Sequence, residues 1–309
     1  MMPDMPPSST IRLRMASPMI LSFLLLPFTA FAVDLFTEGF TRAFWLSSAV
    51  NADATQLYID GGEFYTGTDE NDDVDISELE TTIVIDLKQS WTSSTISKSH
   101  IIQAQKPLNG DFPLARRPSL WYSDKSNTLY SWGGYGYGTA NQGLWQLELT
   151  DNGAPVGMWT EGPVPNDGIT PTWVNAYTAM NGDMYSLGGM AALDYFRPTP
   201  GLVRFDEASG SWTNNTNVPA EANIAFGQAS GIPSFGSHGV IIYIGGESLN
   251  TLSEISDYSA PSLQGMSSVF VYDIGAQKFY SQAVDGDTPS ARWGHCTVSV
   301  TNDDGTVDM

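Results

Sequence analysis

The chain has 309 residues, with 34 Asp and Glu against 13 Lys and Arg, a net charge of -21, three histidines and one cysteine. An acidic excess of this size repels a phosphate backbone and excludes nucleic-acid binding through a basic surface; a single cysteine excludes an intrachain disulfide and a Cys-based zinc site. Hydrophobic residues at 41% and aromatics at 12% are enough to bury a sizeable core.

Arg12 and Arg14 precede an apolar run from Met19 to Phe28, broken only by Ser22 and Pro27, and Ala30-Phe31-Ala32 follows. A basic start, a short apolar stretch and a small-x-small site predict a secretory signal peptide over 1–32, leaving residues 33–309 as a secreted, extracellular protein. The run is too short for a bilayer, which takes about 20 apolar residues.

From residue 57 onward the sequence repeats. Leu57-Tyr58-Ile59-Asp60-Gly61-Gly62, Leu129-Tyr130-Ser131-Trp132-Gly133-Gly134, Met184-Tyr185-Ser186-Leu187-Gly188-Gly189 and Ile242-Tyr243-Ile244-Gly245-Gly246 each set a glycine pair at the end of a short apolar strand. The first glycines are 72, 55 and 57 residues apart, a period that predicts a repeat architecture. Each pair is followed by a strand ending in an acid, at Asp86, Glu148, Asp206 and Asp273, and then by an aromatic, at Trp91, Trp159, Trp212 and Phe279. A second repeat leads into new strands: Gly110-Asp111-Phe112-Pro113-Leu114-Ala115-Arg116 and Gly286-Asp287-Thr288-Pro289-Ser290-Ala291-Arg292. Glycine within a strand pattern permits close backbone approach, and large aromatics seal sheet on sheet.

Together these residues resemble kelch repeats, as in the galactose oxidase central-domain superfamily and in secreted fungal kelch proteins, over roughly residues 40–309. The resemblance implies an all-β fold, a kelch-type β-propeller of four-stranded antiparallel blades, with the glycine pair on the second strand and the tryptophan near the fourth. About four and a half blades fit in the chain, because the offset that carries Pro113 to Gly133 carries Pro289 to the last residues. A propeller incomplete at its C-terminus is therefore expected. Cys296, in the first strand of the fifth unit, reads as a small buried hydrophobe.

Short turns are expected between first and second strands and between third and fourth, as at Leu87-Lys88-Gln89-Ser90. The connections from second to third strands, residues 63–81, 135–143, 190–201 and 247–268, are longer. Long loops on a rigid scaffold carry binding, so a ligand is expected on that face near the axis. The aromatics there, Trp132, Tyr135, Tyr137, Tyr195, Phe196 and Tyr258, suit sugar stacking or peptide docking.

Residues 69–80 place Asp69, Asn71, Asp73, Ser77 and Glu80 on the oxygen positions of a calcium loop, but Val74 stands where the sharp turn requires glycine. The segment reads as a solvated acidic loop, with Asp69, Asn71, Asp73 and Glu80 as the ligands calcium would use. Asn214-Asn215-Thr216 is a glycosylation sequon. Copper radical chemistry, which the superfamily resemblance raises, needs His and Tyr ligands with a Tyr cross-linked to Cys. His100, His238, His295 and Cys296 show no such grouping in the sequence, so the alternative reading, a fragment of a copper oxidase with ligands in missing blades, ranks second. The expected protein is a secreted, non-catalytic module, without cofactor, that recognises a protein or carbohydrate ligand. Cell-wall or membrane association through a missing C-terminal segment is a further expectation from the resemblance.

Overall fold

The computed structural model describes residues 13–14, 40–66, 75–78, 81–88, 90, 101–106, 114–136, 143–165, 168–191, 197–248 and 262–309. Four antiparallel sheets of four strands dominate it. Blade 1 comprises Ser47–Val50, Gln56–Asp60, Thr81–Asp86 and Ile101–Gln105; blade 2, Ser119–Ser123, Thr128–Trp132, Leu144–Glu148 and Thr160–Glu161. Blade 3 comprises Ala176–Met180, Asp183–Leu187, Leu202–Asp206 and Ser211–Asn215; blade 4, Gln228–Ile232, Val240–Ile244, Ser268–Asp273 and Lys278–Ala283. Strands pair in chain order, and first strands of successive blades approach one another, so the sheets radiate from a common axis as a β-propeller.

The second strands of blades 2, 3 and 4 are buried along their whole length, with sheet packed on both faces. This accounts for continuous apolar runs such as Val240 to Ile244 where a half-exposed strand would alternate. Between the blades lie separate cores. Tyr58 and Val84 of blade 1 meet Leu120, Leu129, Trp145 and Trp159; Trp121, Tyr130 and Trp132 of blade 2 meet Met184, Phe205 and Trp212. The outer aromatics face the preceding blade: the Trp159 indole N–H donates to Thr82 Oγ1 at 2.8 Å, and Trp212 lies 5.2 Å from Trp132 between ring centroids. Phe279 packs with Tyr272 and Tyr243 against blade 3.

Every first hairpin turns a corner at the glycine pair. Beyond Gly61-Gly62, Glu63–Thr66 pairs with Phe40–Phe44; beyond Gly188-Gly189, Met190–Ala191 pairs with Thr172–Trp173; beyond Gly245-Gly246, Glu247–Ser248 pairs with Ile224–Ala225. In blade 2 an Arg116–Tyr135 bridge takes this place. These ribbons rise from the sheets on the face of the long connections.

The second glycine of each pair donates its N–H to a carbonyl of the next unit: Gly62 to Ala115, Gly134 to Thr172, Gly189 to Ile224 and Gly246 to Arg292, at 3.0, 2.9, 2.9 and 2.9 Å. The first glycine lies against the same carbonyl, with no room for a Cβ.

A fifth unit begins after blade 4. Val300–Thr301 and Val307–Asp308 form a hairpin, and Ser299 Oγ receives a hydrogen bond from Ser230 Oγ at 2.7 Å. Leu13–Arg14, within the segment expected to be a signal peptide, lies parallel to Val307–Asp308. Two details differ from expectation. In blade 1 the chain runs from 87 to 100 before the fourth strand, so Leu87 to Ser90 is not the whole connection. Cys296 is exposed rather than buried, because it lines the axial cavity instead of packing inside a sheet.

Candidate ligand-binding site

Two residues before the first strand of each of the four blades the backbone is left-handed: Trp45 (φ 63°), Arg117 (φ 50°), Val174 (φ 52°) and Phe226 (φ 56°); Gly294 (φ 65°), two residues after the Arg292 carbonyl that Gly246 bonds, holds the matching place in the fifth unit. Left-handed non-glycine residues are uncommon and mark imposed strain. The corner imposes it here, since these residues stand opposite the glycine pairs. They also link blade to blade: Arg117 N–H donates to Trp45 O at 2.7 Å, Phe226 N–H to Val174 O at 2.6 Å, and Gly294 N–H to Phe226 O at 3.1 Å. The result is a chain of kinked residues around the axis on the long-connection face.

Below it the four first strands enclose a cavity of about 620 Å³, with Arg117, Val174 and Phe226 at its mouth and Asn175, Tyr177, Gln228, His295 and Cys296 on its wall. That volume suits a small ligand. Ser47 Oγ donates to Pro118 O at 2.5 Å, and the Asn175 amide donates to Ser119 Oγ and Ser186 Oγ at 2.8 and 2.6 Å, so the wall is held in place from behind.

The Arg117 guanidinium lies over the Trp45 ring at 5.2 Å and the Phe226 ring at 5.6 Å. Burial lowers its pKa from the ordinary arginine value, although it remains a cation. Burial raises the Tyr177 phenol, whose hydroxyl lies beside Ser47 and the Leu120 backbone. His295 is held below its ordinary value, first by burial and then by the Arg292 charge.

Aromatic rings continue outward from the mouth. Tyr135 packs on Trp173 at 5.1 Å, Trp173 meets Phe226 at 6.2 Å, and the half-exposed Trp293 stands edge-on to Phe226 at 4.7 Å. Arg116, over the Tyr135 ring, pairs with Glu63 across the ribbons of blades 1 and 2.

With this geometry the chain can be compared with known proteins. The solved structure titled "Structure of YjhT" superposes with a TM-score of 0.51, covering 83% of this chain and 70% of that one at 13% sequence identity. The shared feature is the propeller fold. No family model matches the chain, and no curated protein matches it in sequence.

Of the aromatics expected to bind, Tyr135 is at the mouth, half-buried against Trp173. Trp132 is fully buried between blades 2 and 3 and offers a ligand no surface. Tyr137, Tyr195, Phe196 and Tyr258 lie outside the described residues, as do Trp91 and the acidic positions Asp69, Asn71, Asp73 and Glu80. Among the described residues no three His, Cys, Asp or Glu side chains come together as metal ligands. Asn214 shares a strand face with Trp212 and has its amide oxygen buried against Gly201, so a glycan there requires the side chain to swing outward. Sequence reading passed over Trp45, Arg117 and Phe226. The usable signal was their constant place, two residues ahead of each first strand.

Proposed function

We propose that this protein is a secreted recognition module of kelch type that binds a glycan or protein without catalysis, through the long-connection face of its propeller. The axial cavity, open among aromatic rings on that face, carries the reading. Flat, rigid rings offer large contact area at little entropic cost, and the wall beneath supplies hydroxyl and amide groups for orientation. The kelch assignment draws support from packing: each glycine pair sits at an inter-blade joint, and Trp159, Trp212 and Phe279 each seal a blade against its predecessor. Secretion rests on the 1–32 leader. Cleavage after Ala32 would remove Leu13–Arg14 and leave Val307–Asp308 paired with Val300–Thr301 alone among the described residues.

The test is to express the full chain in a secreting eukaryotic host, sequence the N-terminus of the product, and probe it on an array of neutral and acidic glycans. A mature start near residue 33 and saturable capture of a glycan class are expected. Intracellular retention with an intact leader would overturn secretion, and stoichiometric copper with peroxide release would replace recognition by oxidase chemistry.

A further inference from the structure

Arg117 makes no ion pair and no side-chain hydrogen bond among the described residues. With 34 acids against 13 Lys and Arg, the chain does not lack carboxylates to pair with it. The other described cations that are not exposed each have one: Lys106 has Asp60, Arg116 has Glu63, and Arg204 has Asp183 and Asp206. Asp124 is the one carboxylate among the residues lining the cavity, and it follows the far end of the strand that Arg117 precedes, roughly 20 Å away. Two rings hold the guanidinium over the mouth, and they leave its forked N–H edge without an acceptor. A planar fork of donors matches a carboxylate in two parallel hydrogen bonds, and desolvation strengthens the pair.

We infer that Arg117 anchors a carboxylate, and that the axial cavity takes a carboxylate-bearing sugar. The inference rests on the recognition reading above and deepens it. Charge comes from Arg117, exposed ring surface beside it from Trp45, and partners for sugar hydroxyls from Asn175, Tyr177 and Gln228 on the wall. Elsewhere the protein is strongly acidic, so it repels anions in general and a buried arginine at one place selects for a small acid.

The experiment titrates the secreted full chain with glucuronate and galacturonate, with glucose and galactose as neutral counterparts, and with a diglutamate peptide, following tryptophan fluorescence and calorimetry. At least one hexuronate is expected to saturate, with the matching neutral sugar at least tenfold weaker. Arg117→Met should weaken the hexuronate at least tenfold and so close the gap to its neutral counterpart. Arg117→Lys, which keeps the charge without the fork, should fall between them. The urea midpoint of ligand-free Arg117→Met should stay at or above that of the parent, because the variant removes a desolvated charge.

Equal binding of acid and neutral sugar, or a hexuronate affinity indifferent to both substitutions, overturns the anchor while the recognition reading stands. Glycan capture on the array without hexuronate binding does the same. Tighter binding of the diglutamate peptide than of either hexuronate overturns the sugar class. A blank array together with no hexuronate binding removes both readings.

Discussion

Replacing Gly188 by alanine tests whether the glycine pair is a joint between blades or only a turn. Gly188 has φ +63°, and a Cβ there would lie 2.3 Å from the Ile224 carbonyl oxygen, about 1 Å inside the closest ordinary carbon–oxygen contact. Ile224 O is also the acceptor for Gly189 N–H at 2.9 Å. The new methyl must push the blades apart and break that bond, leaving a buried donor at a cost of about 1–3 kcal/mol. The left-handed backbone adds about 1–2 kcal/mol for any residue with a Cβ. We predict a loss of about 2–5 kcal/mol for Gly188→Ala.

Gly157 supplies the control, because its φ is +74° and nothing lies within 4 Å of its Cβ position. Gly157→Ala meets the same backbone strain without the collision and should cost about 1–2 kcal/mol. Urea unfolding of both variants, followed by tryptophan fluorescence, reads the difference directly. If the two variants lose the same stability within about 0.5 kcal/mol, the carbonyl contact is not holding the blades and the joint reasoning fails.

Asp60 and Lys106 form an ion pair at 3.0 Å with side chains 1% and 3% exposed, and Thr82 donates to Asp60 while accepting from Trp159. Asp60→Ala takes the carboxylate away from a buried ammonium and should cost about 3–5 kcal/mol by thermal melting; a loss below about 1 kcal/mol would show that the ion pair does not hold this joint. Glu207 accepts hydrogen bonds from Ser123, Ser126 and Tyr130 of blade 2. Glu207→Ala should cost about 1–3 kcal/mol, and adding Ser126→Ala should cost almost nothing more in a double-mutant cycle. His295 has its folded-state pKa lowered from 6.5, so the unfolded chain binds its proton first as pH falls. Its contribution to stability is complete above pH 6.5 and declines as the pH drops toward the folded value, and His295→Gln should flatten the urea midpoint over that window.

The scaffold was legible where chemistry repeats residue for residue. Four glycine pairs gave the corners, and Trp159 and Trp212 gave the seals, because each inter-blade contact demands the same side chain or its absence. The partners of those glycines were not legible. A backbone carbonyl is the contact, so Ala115, Thr172, Ile224 and Arg292 serve equally and share no pattern. Trp132 was read as a loop-facing aromatic because it adjoins a glycine pair, yet its strand has sheet on both faces and the ring is enclosed. Cys296 was read as buried on the strength of its strand, and it faces the axial cavity instead.

The same separation shows where function can vary on this fold. At the glycine pairs the backbone and the side chain are both fixed, since any Cβ meets a neighbour within about 3 Å. At the kinked positions the backbone alone is fixed: φ is 50° to 65° in all five units, while the residue is Trp, Arg, Val, Phe or Gly. Left-handed backbone at a non-glycine residue costs stability, and a repeat under selection for stability alone would place glycine or asparagine there. Four of the five units carry a large or branched side chain instead, and three of these, Arg117, Val174 and Phe226, line the cavity mouth. The binding proposed for the axial cavity would draw on this register, where the side chain can change while the corner keeps its backbone.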